Sequence, residues 1–155
     1  MADLFPALAL GDCLDEAQAV ILPFKVVTDA ITKGQLVKVS THVTGELGSI
    51  TVAVEGEKAH GVALKSGAVG DVIPVVVLGV VKVTASGAIT VGFAIRAGGT
   101  TGGVRSAATS VTIPTGSVAV TSDSAQPSMT VQADIACGIA LQTFADGDTG
   151  LVLLK

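Results

Sequence analysis

One stretch of this chain is written twice, and that duplication limits the possible folds more than any other feature. Residues 61–77 read GVALKSGAVGDVIPVVV and residues 138–154 read GIALQTFADGDTGLVLL. Aligned without a gap, they share Gly61/Gly138, Ala63/Ala140, Leu64/Leu141, Ala68/Ala145, Gly70/Gly147, Asp71/Asp148 and Val75/Val152. A shorter echo lies upstream of each: residues 30–34 are AITKG and residues 88–92 are AITVG. The order is the same in both halves, so residues 30–79 and 88–155 read as two copies of one unit. Gly34 to Gly61 is 27 positions and Gly92 to Gly138 is 46, a difference of 19. The extra length falls within residues 97–132, rich in Gly, Ser and Thr, and is expected to form a long loop in the second unit.

The unit reads as β-structure. Residues 35–40 (QLVKVS) and 49–54 (SITVAV) alternate apolar with polar or small side chains, as do residues 110–113 and 117–121. Such alternation marks half-buried strands. A further strand reading covers residues 17–27, where Pro23 points to a sheet edge or a bulge. No segment keeps a 3.6-residue apolar period over three turns. The G-[VI]-A-L run is a short buried strand. The A-x-G-D run after it is a tight turn, in which glycine takes a positive φ and the aspartate holds nearby backbone amides. These readings make Gly70, Asp71, Gly147 and Asp148 structural turn residues. The expected fold class is all-β: a compact β-barrel or β-sandwich built from two duplicated strand units. Residues 1–16 precede it as an N-terminal arm, and residues 17–155 form a single β domain. Residues 15–19 leave room for one helical turn.

Composition narrows the function. Apolar residues make up 49% of the chain and charged residues 14%, where about 25% is ordinary. So little charge leaves apolar surface to be buried against partners. The net charge of −4 opposes nucleic-acid binding, which draws its affinity from basic patches. With only Phe5, Phe24, Phe93 and Phe144 as aromatics, no base-stacking or sugar-stacking platform can be assembled. The chain opens MADLFPALALGD, without the basic start of a secretory signal. The longest apolar run, residues 72–83, is too short for a membrane span and contains Pro74 and Gly79. A soluble protein made in a cytoplasm is expected, with no membrane partner. Cys13 and Cys137 read as free thiols.

No catalytic constellation stands out. His42 and His60 lie outside any ligand-spaced motif. Asp71 and Asp148 invite a paired-carboxylate reading, but each occupies the same turn of its own copy, so duplication explains them. Glu55 and Glu57 read as a solvated hairpin tip, and Asp146 with Asp148 lacks a full calcium-loop pattern. Residues 98–103 (GGTTGG) have no Lys after them, so a flexible loop is expected there rather than a phosphate cradle. Arg96 and Arg105 flank that loop. The expectation is a binding protein, not an enzyme, with no cofactor and no metal.

The twice-used pattern G-[VI]-A-L-x3-A-x-G-D-x3-V, from Gly61 to Val75 and from Gly138 to Val152, together with Gly79-Val80-Val81, resembles a family of small β-rich proteins of tailed-phage and prophage head-gene clusters. Some of its members are capsid decoration or cement proteins. The resemblance covers roughly residues 28–155. It implies a β-barrel-like protein on the capsid exterior of a virion, often a homotrimer, that binds the major capsid protein and reinforces contacts between capsomers. Another virion part, such as a head fibre or tail module, is the alternative, and a small β-sandwich ligand-binding module is a third. The arm carries Leu4, Phe5, Leu8 and Leu10, an odd apolar load for a solvated tail, and Pro6 keeps Phe5 extended. These five residues are the candidate contacts to the shell or a neighbouring subunit, and folding back onto the chain's own barrel is the competing reading.

Overall fold

A computed structural model of the chain describes residues 9–14, 18–40, 47–99, 101–107 and 135–155. The strands expected at residues 110–113 and 117–121, His42, and Leu4, Phe5, Pro6 and Leu8 of the arm lie outside the described residues. So does most of the expected helical turn.

The fold is all-β. Nine strands are present among the described residues: β1 (Val20–Val26), β2 (Leu36–Val39), β3 (Ser49–Val52), β4 (Gly61–Ala63), β5 (Val72–Thr84), β6 (Ala94–Gly98), β7 (Gly103–Ser106), β8 (Gly138–Ala140) and β9 (Thr149–Leu154). They form one sheet in the order β1-β3-β2-β4-β5-β9-β8-β6-β7, with β1 also paired to β5. That last pairing closes the first five strands into a barrel. Closure satisfies edge amides that would otherwise remain open.

The second half repeats the same connections. In the first lobe β2 pairs β3 and β4, β4 pairs β5, β5 pairs β1, and β1 meets β3 in parallel at Val26 and Ile50. In the second lobe β6 pairs β7 and β8, β8 pairs β9, and β9 pairs the C-terminal half of β5. A parallel bridge between Ala85 and Val104 completes the ring. Strand β5 is therefore the last strand of one barrel and the first of the other. The handover falls at Gly79, with φ +140°. Each lobe closes on itself and the two share β5, where the sequence left a barrel and a sandwich both open.

Individual bonds repeat as well. Gly34 N–H donates to the Ala63 carbonyl and Gly92 N–H to that of Ala140, both at 2.8 Å. His60 N–H donates to the Val37 carbonyl, and Cys137 N–H to that of Ile95. Gly70 N–H bonds the Val26 carbonyl just as Gly147 N–H bonds that of Ala85. The first barrel encloses Val26, Ile31, Val37, Ile50, Ala63, Ile73 and Val75. A larger cluster fills the second barrel and continues through Leu36, Ala53, Ala59, Val62 and Val76 of the first, so one apolar body joins the lobes.

Part of the stretch expected to be a long loop is regular. Gly98 at the end of β6 pairs Gly103 at the start of β7, and β7 itself occupies Gly103–Ser106. Gly102 there packs against Gln35, Val52 and the Leu36 carbonyl of the other lobe, a non-local demand that composition does not reveal. Pro23, in β1, is exposed opposite Pro74. Its neighbour Lys25 donates its N–H to Gly48 on the β3 side, away from β5. Pro23 two residues earlier therefore lacks an N–H on the strand's free edge, where proline discourages further pairing.

Candidate binding surfaces

The A-x-G-D turns are built as their chemistry demands. Gly70 and Gly147 have φ of +98° and +80°. Asp71 N–H bonds the Ala68 carbonyl at 3.0 Å, and Asp148 N–H bonds that of Ala145 at 3.1 Å. The Asp71 carboxylate accepts the Ala68 amide at 2.9 Å, which ties it to the backbone. Asp71 and Asp148 stand in separate barrels at equivalent turns.

The repeat read from sequence starts at Ala30 and leaves out a third copy of this signature, Ala9-Leu10-Gly11-Asp12. Gly11 has φ +72°, Asp12 N–H bonds the Ala9 carbonyl, and the Asp12 carboxylate accepts the Ala9 amide at 2.9 Å. The turn docks on β5 in the same manner as the others: Gly11 N–H donates to the Lys82 carbonyl and Lys82 N–H to that of Asp12. Cys13 then bridges Val81, and Leu14 N–H donates to Val80. The view of the whole arm as a segment carried by a neighbour is corrected for residues 9–14, which lie on the chain's own β5. The signature was legible at Ala9. The residues after it, CLDE, show no strand alternation, so no strand pattern accompanied it.

Across the lobes, one rim of the first barrel is covered. Lys33 Nζ pairs with Asp12 of the arm turn at 2.5 Å. Leu10 lies over Gly34, where an added methyl would come within 2.6 Å of Leu10 Cγ. Gln35 Nε2 donates to the Thr101 carbonyl at 2.8 Å, and Leu36 N–H to that of Gly102 at 2.7 Å. Glu55 N–H bonds the Gly99 carbonyl, and its carboxylate pairs with Arg105 and, at 3.8 Å, with Arg96. Glu55 and Glu57 are thus not a solvated tip: Glu55 links the lobes, and Glu57 pairs with Lys38 and accepts the Val54 amide. Arg96 and Arg105 are counterions of this internal contact.

The titrating groups follow from those pairs. The Lys33 ammonium holds the Asp12 carboxyl below its ordinary value, with the Ala9 amide assisting. Lys38 and the Val54 amide do the same for Glu57. A lowered native-state value means stability that is complete above the ordinary pKa and lost as pH falls through the native one. Melting is therefore expected to change little from about pH 7 to 5 and to drop below about pH 4. Both pairs are partly open to solvent, so each contributes modestly and is screened by salt. Thermal melts at stepped pH check this, with Asp12→Asn expected to remove part of the drop. Burial pushes the Cys137 thiol up to about 11. Cys13 is buried too, and both cysteines are free.

His60 is exposed, and its Nδ1 accepts the Val39 amide at 3.2 Å. Among the described residues no three His, Cys, Asp or Glu side chains converge as a metal site would need. The openings are shallow, and the widest, of about 400 Å³, lies over Ala30, Thr32, Gly67 and Asp71. One of about 240 Å³ lies between the lobes, lined by Leu10, Lys33, Gln35, Ser86 and neighbouring backbone. Another of about 330 Å³ surrounds Gly79, with Leu14, Leu78 and Leu153.

The arrangement defines a class: a small all-β protein of two five-stranded barrels fused through a common strand. A solved structure of similar fold is the head fiber gp8.5 N base in bacteriophage phi29, at 17% sequence identity and a TM-score of 0.58, covering 89% of this chain and 95% of that one. No protein-family model and no curated protein sequence matches this chain.

Proposed function

We infer that this chain is a structural protein of a tailed-phage virion, bound to the exterior of the head shell. The observation that carries the reading is the shared fold with a phage head-fibre base over nearly the whole of both chains. The head-gene resemblance of the duplicated motif points the same way. The described surface supports binding rather than turnover: its openings are shallow and lined mainly by Leu, Gly, Thr and Ser. No catalytic step, cofactor or metal enters the reading.

The finer reading is a decoration protein that binds the major capsid protein as a homotrimer and stabilises contacts between capsomers. A ligand that binds only the assembled lattice shifts assembly towards it by mass action. The fold shared with a fibre base favours a second reading, in which the barrels anchor a projecting part. One experiment addresses both. Purified protein is mixed with phage heads that lack it and, separately, with unassembled capsid subunits, and each mixture is sedimented. Binding to heads alone is the expected result, with the rupture temperature of the heads raised if the protein is a cement and unchanged if it is an anchor. Failure to sediment with heads overturns the virion reading.

A further inference from the structure

The chain has two arginines, Arg96 and Arg105, and the fold sets them directly opposite each other in the β6–β7 ladder. Their neighbours Ile95, Ala97 and Val104 are fully buried inside the second barrel, so both arginines lie on its outer face. Like charges opposed across two strands are destabilising. Glu55, in the connection between β3 and β4, offsets one of them. Its N–H donates to the Gly99 carbonyl at 2.9 Å, which fixes the backbone that carries it, and its carboxylate pairs with Arg105. The other acid of this connection, Glu57, is committed to Lys38 and the Val54 amide. Among the described residues the cluster therefore holds two guanidinium groups and one carboxylate, an excess of one positive charge.

Arg96 is the less well served of the two. Its Nη2 stands 3.8 Å from Glu55 Oε1, an ion-pair distance too long for a hydrogen bond. Its Nε is buried and has no acceptor. A buried N–H without an acceptor is costly, and native structures pair nearly all such groups. The cluster opens to solvent on its other side, where the Arg105 and Glu55 side chains are 39% and 48% exposed, against 15% for Arg96.

Arg105 is held in place along its stem. A methyl on Gly98 would stand 2.8 Å from Arg105 Cγ and 2.9 Å from its Cβ and Cδ. Gly98 has no left-handed φ, so its backbone would suit any residue, and the arginine stem is what requires a glycine there. A guanidinium positioned by packing loses less freedom on binding a ligand than one on a solvated side chain.

We propose that Arg96 and Arg105 bind a small oxyanion of the phosphate class beside Glu55, its oxygens accepting from both guanidinium groups. Arginine suits such a ligand because its planar fork of donors matches the adjacent oxygens of a phosphate. The anion offsets the excess positive charge. As the Arg96 guanidinium turns outward to meet it, Nε gains the acceptor it lacks. Glu55 competes with the ligand for Arg105, so the residue that ties the lobes together also sets the affinity of the site. The inference does not rest on the virion reading, and its test contains no phage head.

The test titrates the full chain with inorganic phosphate near neutral pH and, in parallel, with sodium chloride and with sodium acetate at matched ionic strength. Heteronuclear NMR follows the arginine Nε–H resonances, which in this chain belong to Arg96 and Arg105 alone. Phosphate is expected to move both in a saturable way with one midpoint. Arg105→Gln is expected to weaken that midpoint about tenfold, the loss of one charge-assisted hydrogen bond, and Glu55→Gln to tighten it by about as much by removing the competing carboxylate. Acetate is expected to bind more weakly and to respond to the variants in the same direction. Shifts that sodium chloride reproduces, an Arg96 resonance that stays in place, acetate binding tighter than phosphate, or a midpoint that Glu55→Gln leaves unchanged overturns the proposal. Circular dichroism confirms the fold of each variant. Should either misfold, the three wild-type titrations decide.

Discussion

Gly138→Ala is expected to lower the melting temperature by roughly 5–10 °C, and Gly61→Ala by a similar amount. These glycines open the two copies of the repeated motif, and in each copy a neighbouring backbone runs across the position. A methyl on Gly61 would stand 2.5 Å from the Val76 carbonyl oxygen and 2.6 Å from Val75 Cγ1. On Gly138 it would fall on the carbonyl of Leu153 and within 3.2 Å of Leu154 Cα. Backbone cannot swing aside as a side chain can, so the strands β4–β5 or β8–β9 must separate locally. Overpacking of this kind costs about 1–3 kcal/mol, which corresponds to a few degrees per kcal/mol in a chain of this size. Gly92→Ala, at a turn open to solvent, is the control for crowding. Its φ of +83° adds backbone strain, but it should not part any strands. Thermal melts of the three variants, with amide exchange across β8 and β9, check the result. An unchanged β8–β9 ladder in Gly138→Ala would refute the packing argument.

Ile95→Ala is expected to weaken both barrels together, although Ile95 belongs to the second. The side chain is fully buried in the cluster that also holds Leu36, Val62 and Val76 of the first lobe. Removing it costs about 2–5 kcal/mol. Strand β5 cannot unfold from one barrel and remain intact in the other half without exposing the apolar body between them. The protein should therefore unfold in a single transition. Amide protection in β4 should fall with that in β8, by about a hundredfold for a loss near 3 kcal/mol. Independent barrels would show the drop only in β6 to β9, and two transitions instead of one.

Local features of the fold could be read before any coordinates. The A-x-G-D turns, the short strand at each G-[VI]-A-L run and the edge character of Pro23 depend on a few adjacent residues. The chemistry of those residues acts within the turn itself. The same holds for the two copies, whose shared Gly61 and Gly138 stand against backbone where a side chain would fall and whose shared Ala63 and Ala140 are buried. The site was less legible. Glu55, Arg96 and Arg105 look like solvated charges in sequence, because nothing in residues 96–105 says that they face residue 55. The arm was read as a candidate for docking elsewhere, although its own Ala9-Leu10-Gly11-Asp12 matches the turns at Gly70 and Gly147, which hold Val26 and Ala85 as this one holds Lys82.

By itself the sequence determined that the chain is all-β, that it uses one unit twice and where its tight turns fall, since strand alternation and positive-φ glycines act over two to four residues. Tertiary structure alone decided that the run from Val72 to Thr84 is one strand serving two barrels. It also decided that residues 9–14 lie along that strand, and that the arm turn and the end of the β6–β7 hairpin cover residues 33–36. Those outcomes depend on which strand edges remain open once each barrel closes, a condition set by partners far apart in the chain and written in no single segment of it.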